Sequence, residues 1–339
     1  MRVLVTGGAG FIGSNLVRYL LRTRPEAAIV VLDKFTYAGN LANLADVRDH
    51  PRLSVQIGDI ADPDAVEAAI AGCTHVINVA AETHVDRSIL ESDVFLRTNI
   101  DGTRALLEAA GRHDVERYLQ LSTDEVYGPI EAPDRAGEDY PLKPRSPYAA
   151  SKAGADLLVG AYHATFGIPT LVTRGANTYG PFQYPEKLIP LFVTNALENL
   201  TLPVYGDGQQ IRDWLAVEDH CSAILAVLEH GAPGHIYNVE AGNARPNIEI
   251  VRQIVELLGV DPALVQHVPD RPGHDRRYAL RTDKLRALGW QPAVPFEEGL
   301  RRTVEWYREH REWWEPIKSG TFREYYQRQY AVRLAEGRR

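Results

Sequence analysis

The chain has 339 residues, 45% hydrophobic and 24% charged, with a formal net charge of −8. That length exceeds one small core and suits a large α/β domain, alone or carrying a smaller one. The acidic balance excludes a whole-molecule electrostatic footprint for nucleic acid, so an anionic ligand has to be met by local basic groups.

The chain opens directly on a strand-like Arg2-Val3-Leu4-Val5, with no basic n-region, apolar h-region or cleavage site of a signal peptide. No apolar run approaches the ~18 residues a membrane helix needs. The two cysteines, Cys73 and Cys221, fit no metal-ligand spacing and read as buried reduced thiols. The expectation is a cytoplasmic protein with no metal site and with neither a membrane nor a nucleic-acid partner.

Short apolar runs at 3–5, 29–32, 53–57, 76–79, 118–121 and 170–173 read as strands. Helical patterns lie between them near 11–21, 64–70, 93–111 and 147–165. Strands alternating with helices predict an α/β fold: a doubly wound parallel sheet of Rossmann type, with ligands at the C-terminal ends of its strands. After Asn177 the texture changes. Pro181, Pro185, Pro190 and Pro203, with Gly180, Gly206 and Gly208, cut the chain into shorter pieces. A smaller C-terminal substrate-binding lobe fits there. The division expected is a dinucleotide-binding domain over 1–176 and a lobe mainly over 177–339, with segments at about 210–245, such as a strand at 236–239, interleaved into the first. The basic tail after Arg323 is expected to be solvated or frayed at its very end.

The first strand runs into Thr6-Gly7-Gly8-Ala9-Gly10-Phe11-Ile12-Gly13. Glycines at 7, 10 and 13 permit a tight turn, close backbone approach to a pyrophosphate and close helix–strand packing. The following helix presents free N–H groups and its positive dipole end to that pyrophosphate. The second strand ends at Asp33, where a carboxylate accepts from the adenosine ribose hydroxyls and repels a 2′-phosphate, favouring NAD. Lys34 follows it. Asp59, at the end of the third strand, suits an adenine contact or a turn.

Tyr148 and Lys152, at i and i+4, share one helix face. A neighbouring ammonium and the positive nicotinamide ring favour the phenolate, making Tyr148 a base for a hydroxyl proton. Lys152 also suits the nicotinamide ribose. Ser122-Thr123-Asp124-Glu125 follows the 118–121 strand directly, placing a hydroxyl and two acids at a strand end. A sugar oxidation needs only a hydroxyl and the tyrosine. Two adjacent acids imply a second proton transfer, one staying protonated as acid while the other acts as base.

With these residues in view, the chain resembles the dTDP-glucose 4,6-dehydratases, within the extended short-chain dehydrogenase/reductase family. The resemblance runs through Asp33 to Asn40, Ala80 to Ser88, Ser122 to Gly128, Ser146 to Lys152, Pro185 to Pro190, Val204 to Gly208 and Arg271 to Asp275. It implies NAD as cofactor and oxidation at sugar C4 with Tyr148 taking the proton. Elimination follows, with Glu125 as base at C5 and Asp124 as acid at the C6 hydroxyl, and hydride then returns to C6. Thr123 polarises the C4 oxygen. The resemblance adds Phe35, Thr36, Ile60, Ala80, Ala81, Glu82, His84, Thr98 and Thr178 as cofactor contacts, His84 at the junction with substrate. It assigns Lys187, Arg212 and Arg271 to the diphosphate and its flanks. Asn177, Leu188, Pro203, Val204, Tyr205, Asn247 and His274 take the rest of a dTDP-glucose substrate, and a homodimer through the 93–111 and 147–165 helices is implied. A UDP-glucose 4,6-dehydratase shares nearly the same triplet. A non-catalytic NAD-binding sensor on the same fold would not need Tyr148, Lys152 or the acids. The chain departs from the family pattern at one place. Where the family has Cys-Ser or similar and then two asparagines before Tyr-Gly-Pro, this chain has Gly175-Ala176-Asn177-Thr178. A hydroxyl at 178 lacks the second donor of an amide.

Overall fold

The computed structural model describes residues 1–336. Its strands, in chain order, are β1 (Arg2–Thr6), β2 (Ala28–Asp33), β3 (Leu53–Ile57), β4 (His75–Asn78), β5 (Arg117–Thr123) and β6 (Thr170–Gly175). Then come β7 (Asn177–Tyr179), β8 (Leu202–Tyr205), β9 (Ile211–Ala216), β10 (His235–Val239), β11 (Ala244–Pro246) and β12 (Val265–Val268). The helices are α1 (Phe11–Thr23), α2 (Pro63–Ile70), α3 (Val85–Leu90), α4 (Asp93–Leu96), α5 (Gly102–Arg112), α6 (Pro147–Phe166) and α7 (Leu188–Leu197). They continue as α8 (Val217–His230), α9 (Asn247–Leu258), α10 (Asp283–Arg286), α11 (Phe296–Glu309), α12 (Arg311–Lys318) and α13 (Thr321–Glu336).

Seven strands form one parallel sheet in the order β10-β6-β5-β4-β1-β2-β3. The chain runs outward from β1 to β3, then returns to β4 on the other side of β1. That reversal opens a crevice at the strand C-termini, the usual ligand position in such sheets. Both faces are covered, so the strands are apolar on both sides. Val3, Val5, Ile29 and Val31 pack with Leu16 and Leu20 of α1 and Ile224 and Leu228 of α8. Leu4, Val30 and Leu32 pack oppositely, with Val66 and Ile70 of α2 and Leu106 and Leu107 of α5.

The single helix predicted over 93–111 is α4 and α5 joined by a π-helical turn at Arg97–Asp101. Such turns concentrate at functional positions. Here it buries Thr98 and Asn99. Asn99 Nδ2 donates to Glu82 O at 3.0 Å while Asn99 Oδ1 accepts from Glu82 N at 2.9 Å, holding the segment after β4. One extra residue in a helical turn leaves apolar periodicity nearly unchanged, so the sequence does not disclose it.

The C-terminal part has its own core, in which Phe192, Trp214, Ile254, Leu300, Tyr307 and Trp314 are buried together. Its strands form a β11-β9-β7 sheet and a β12-β8 pair. Within 210–245, α8 and β10 join the main sheet, whereas β9 belongs to the smaller one. The solvated tail expected after Arg323 is instead part of α13, which docks through Phe322 and Tyr330, 3% and 5% exposed. Two aromatics eight positions apart share a helix face, and their burial outweighs the basic composition around them. The very end, 337–339, lies outside the described residues.

Candidate active site

The glycine turn links β1 to α1 at the crevice. Gly7 has φ +65°, and a Cβ there would stand 2.7 Å from Ala80 Cα just beyond β4. A Cβ on Gly13 would stand 2.1 Å from Gly7 O. Both positions exclude a side chain and leave a bare backbone cradle. The first turn of α1 begins at Gly10 without a side-chain cap, so its N–H groups face the crevice free for an anion. Asp33 ties β2 to this turn: Oδ2 accepts from Ala9 N at 3.0 Å and Oδ1 from Phe35 N at 2.8 Å. Burial pushes its carboxyl above the usual range, and these two N–H groups oppose the shift. Lys34 donates to Thr98 Oγ1 at 2.9 Å, with Glu82 at 3.5 Å and Asp59 at 3.9 Å. Its charge is therefore met by two carboxylates. Asp59 closes a turn by accepting from Ala61 N at 3.0 Å and also lines the cavity.

Every residue of the predicted cofactor set lines one elongated cavity, except Phe35 and His84. Phe35 turns away: its backbone has φ 52° and its ring packs on the main core, leaving only its N–H engaged with Asp33. His84 lines a second, adjoining cavity instead. That second cavity gathers every predicted substrate residue except Thr123, which lines the first. Glu125, Asn177, Glu186 and Lys187 line both and mark the junction.

The catalytic candidates meet near this junction. Thr123 ends β5 and caps a short 3₁₀ turn, Asp124–Tyr127, accepting from Glu125 N at 3.3 Å. Thr123 Oγ1 also lies 3.2 Å from Asp124 Oδ1. Ser146 caps α6 by accepting from Ala149 N at 3.0 Å, and Pro147 occupies the first helical position. This start turns Tyr148 and Lys152 inward, both buried.

Burial raises Asp124 to about 8, and Glu125 beside it pushes the same way. Burial also raises Glu125, but Arg271, Lys187 and Arg212 oppose it with positive charge. The two acids are thus differentiated: one sits protonated near neutrality, the other faces three cations. Lys152 is lowered to about 8 by burial, with Asp156 opposing. Its Nζ donates to Leu121 O at 2.5 Å. Burial and then Glu125 push the Tyr148 phenol upward, and the largest opposing contribution is a hydrogen bond with Thr123. The lowering expected from Lys152 is therefore not what positions the phenol; a desolvated site outweighs an ammonium whose proton is directed at a carbonyl.

In the second cavity the cations have fixed partners. Arg212 Nη2 donates to Asp275 O at 2.8 Å, Arg271 Nη1 to Asp86 at 3.1 Å, and Lys187 Nζ to Thr83 O at 3.0 Å. Tyr205 stacks on Tyr330 with centroids 5.9 Å apart and meets His274 edge-on at 6.0 Å. Arg271 Nε, Asn247 Oδ1 and Gln210 Oε1 are buried without a protein partner. Cations, orphaned polar atoms and an aromatic wall suit a nucleoside diphosphate. Sequence reasoning left out Asp86, Glu186, Tyr330 and His220. The first two lie inside the stretches that carry the resemblance. Tyr330 lay in the supposed tail, and His220 carried no local signal.

A family model described as GDP-mannose 4,6 dehydratase matches residues 4–303. The dTDP-glucose 4,6-dehydratase of Streptomyces niveus is 52% identical over 325 residues, covering 94% of this chain and 96% of that protein. Among solved structures, DesIV of Streptomyces venezuelae, a dTDP-glucose 4,6-dehydratase with NAD and TYD bound, superposes with a TM-score of 0.92 at 50% identity. It covers 94% of this chain and all of that one. A Thermus thermophilus UDP-glucose 4-epimerase in complex with NAD follows at 0.85 and 34% identity, covering 91% of this chain and 100% of its own. With the glycine cradle, the differentiated acids and these likenesses together, the chain belongs to the GDP-mannose 4,6 dehydratase family.

Proposed function

We propose that this protein is an NAD-dependent dTDP-glucose 4,6-dehydratase, a hydro-lyase that forms dTDP-4-keto-6-deoxyglucose. The observation that carries this reading is the Thr123-Asp124-Glu125 turn beside the junction of a glycine-cradled cavity and a cation-lined one. Epimerisation has no task for an acid and a base beyond the tyrosine; elimination needs both. A non-catalytic sensor would have no use for Tyr148, Lys152 and the acid pair, all of which are present.

Bound NAD supplies hydride acceptance from C4 and hydride return to C6. Residues 1–176, with α8 and β10, form the cofactor side. Gly7 and Gly13 allow the backbone to approach the pyrophosphate, the α1 N-terminus binds it, Asp33 takes the ribose hydroxyls and Lys152 the nicotinamide ribose. With the positive nicotinamide ring beside it, Tyr148 would act as the phenolate and take the C4 hydroxyl proton, while Thr123 donates to the C4 oxygen. The resulting ketone acidifies the C5 proton, which Glu125 removes. Asp124, kept protonated by burial, delivers its proton to the C6 hydroxyl as water leaves. Glu125 then returns a proton to C5. Arg212, Arg271 and Lys187 hold the diphosphate, and Tyr205 and Tyr330 face the base.

The test is conversion of dTDP-glucose to the 4-keto-6-deoxy product by purified protein with NAD, against UDP- and GDP-glucose in parallel. Equal turnover of all three would remove the thymidine assignment. Glu125→Gln should retain C4 oxidation and lose exchange of the C5 proton with solvent deuterium; wild-type exchange would exclude Glu125 as the base.

The reading extends to a homodimer through the helical face of α4 to α6. Leu157 and Phe166 of α6 are each 66% exposed, and Leu90 and Leu96 nearby are 47% exposed. Exposed apolar groups on these neighbouring helices favour a second copy. Sedimentation should give twice the chain mass, and Leu157→Glu with Phe166→Glu should return it to one. Two buried free thiols, Cys73 and Cys221, fit a reducing cytoplasm.

A further inference from the structure

Two residues that depart from the family pattern, Gly175 and Thr178, touch the same side chain, His220 of α8. Nδ1 of His220 lies 2.7 Å from Thr178 Oγ1. A Cβ on Gly175 would stand 2.8 Å from His220 Cε1 and 2.9 Å from Nε2. The ring therefore occupies space that any other residue at 175 would claim. The imidazole is 2% exposed and its Nε2 has no hydrogen-bond partner. All three residues line the first cavity, and Gly175 pairs in register with Thr123. They stand at the Tyr148 end of that cavity, away from Asp33.

The hydrogen-bond directions follow from chemistry. Burial lowers His220 to about 4, so the ring is neutral and carries one N–H. Thr178 Oγ1 donates to Ala176 O at 3.2 Å, which uses its only proton. It then accepts from His220 Nδ1–H in the tautomer that leaves no buried N–H unmade at Nε2. Nε2 then presents a lone pair to Gly175, which avoids burying an unmade N–H. Thr178 Oγ1 keeps one lone pair, able to accept from an amide N–H.

We propose that His220 is a positioning residue, and that Gly175, Thr178 and His220 act as one unit that orients the Thr178 hydroxyl to accept from the carboxamide of the bound dinucleotide. The inference rests on reading the first cavity as the NAD site. Gly175 admits the ring, the ring fixes the hydroxyl, and the hydroxyl is left with a lone pair for the carboxamide N–H.

The experiment compares NAD dissociation constants and release rates for the purified protein and for Thr178→Val, His220→Ala, His220→Asn, Gly175→Ala and the Thr178→Val/His220→Ala pair. Each of Thr178→Val and His220→Ala should weaken NAD binding by roughly fivefold, the value of one ordinary hydrogen bond. The double variant should bind no more weakly than either single one, because the two residues form one contact chain. His220→Asn, whose amide reaches the Nδ1 position, should recover most of the affinity. Gly175→Ala should lose a similar factor with both partners still present. Additive losses in the double variant, or wild-type affinity in Gly175→Ala, would overturn the proposal. If His220→Ala does not fold, Gly175→Ala combined with Thr178→Val completes the same cycle. Absence of NAD binding by the unaltered protein would instead remove the cofactor reading itself.

Discussion

The Asp86 carboxylate accepts from Tyr205 Oη at 3.0 Å and from Arg271 Nη1 at 3.1 Å, so one buried acid on α3 fixes both an aromatic and a cation of the second cavity. Burial works against its ionisation, and Arg271, with His84 and Tyr205, outweighs burial and holds the carboxyl below its ordinary value. Asp86→Asn should therefore loosen both groups. The KM for dTDP-glucose should rise about tenfold, equivalent to ~1–2 kcal/mol. Stability should also fall, because the partly buried Arg271 loses its counter-charge. Steady-state kinetics and melting curves check this; an unchanged KM would show that Asp86 does not set the substrate contacts.

Gly13 and Gly10 offer a graded comparison. An added Cβ would meet Gly7 O at 2.1 Å from Gly13 but at 3.2 Å from Gly10. Gly13→Ala should destabilise by ~1–3 kcal/mol through overpacking and sharply weaken NAD binding. Gly10→Ala should cost clearly less. Melting temperature and NAD titration read both effects, and equal losses would contradict a turn limited by contact at Gly13.

Asp124 titrates at about 8 in the folded chain, above the 3.8 of a free aspartate. The folded state then holds a proton that the unfolded state has released between these values. This contribution to stability is complete below about 4 and is lost as pH rises toward 8. Asp124→Asn should flatten the decline of melting temperature across that window. The same variant should oxidise C4 yet eliminate water slowly, with reduced nicotinamide accumulating. The elimination rate of the unaltered protein should fall above pH 8 as the acid form disappears. A pH-independent elimination rate through pH 9 would remove Asp124 as the acid. Lys152, lowered to about 8, acts in a separate window: its contribution grows as pH rises from about 8 to 10.5.

Much of the site was legible because its signals are local. The glycine turn reads from a strand, three spaced glycines and a helix, and Gly7 and Gly13 do stand where a Cβ has no room. Tyr148 and Lys152 share a face because i and i+4 must do so on a helix. Phe35 could not be placed this way: whether a residue after a strand faces the ligand or the core depends on a single left-handed φ. Tyr330 was hidden by basic neighbours, although its burial depends only on one face of α13.

The sequence by itself determined the parallel α/β sheet, the dinucleotide turn and the chemical identity of the Thr123-Asp124-Glu125 triplet, because each is written in contiguous or periodically spaced residues. The resemblance implied a division of labour between the two acids, and only the tertiary structure supplied a physical difference between them. Lys187, Arg212 and Arg271 converge on Glu125 from distant segments, while Asp124 is left chiefly to burial. It likewise decided that Arg271 is held by Asp86, 185 positions away, and that His220 rests on Gly175. Charge environment and desolvation belong to the space around a residue, and neighbours in the chain do not specify that space.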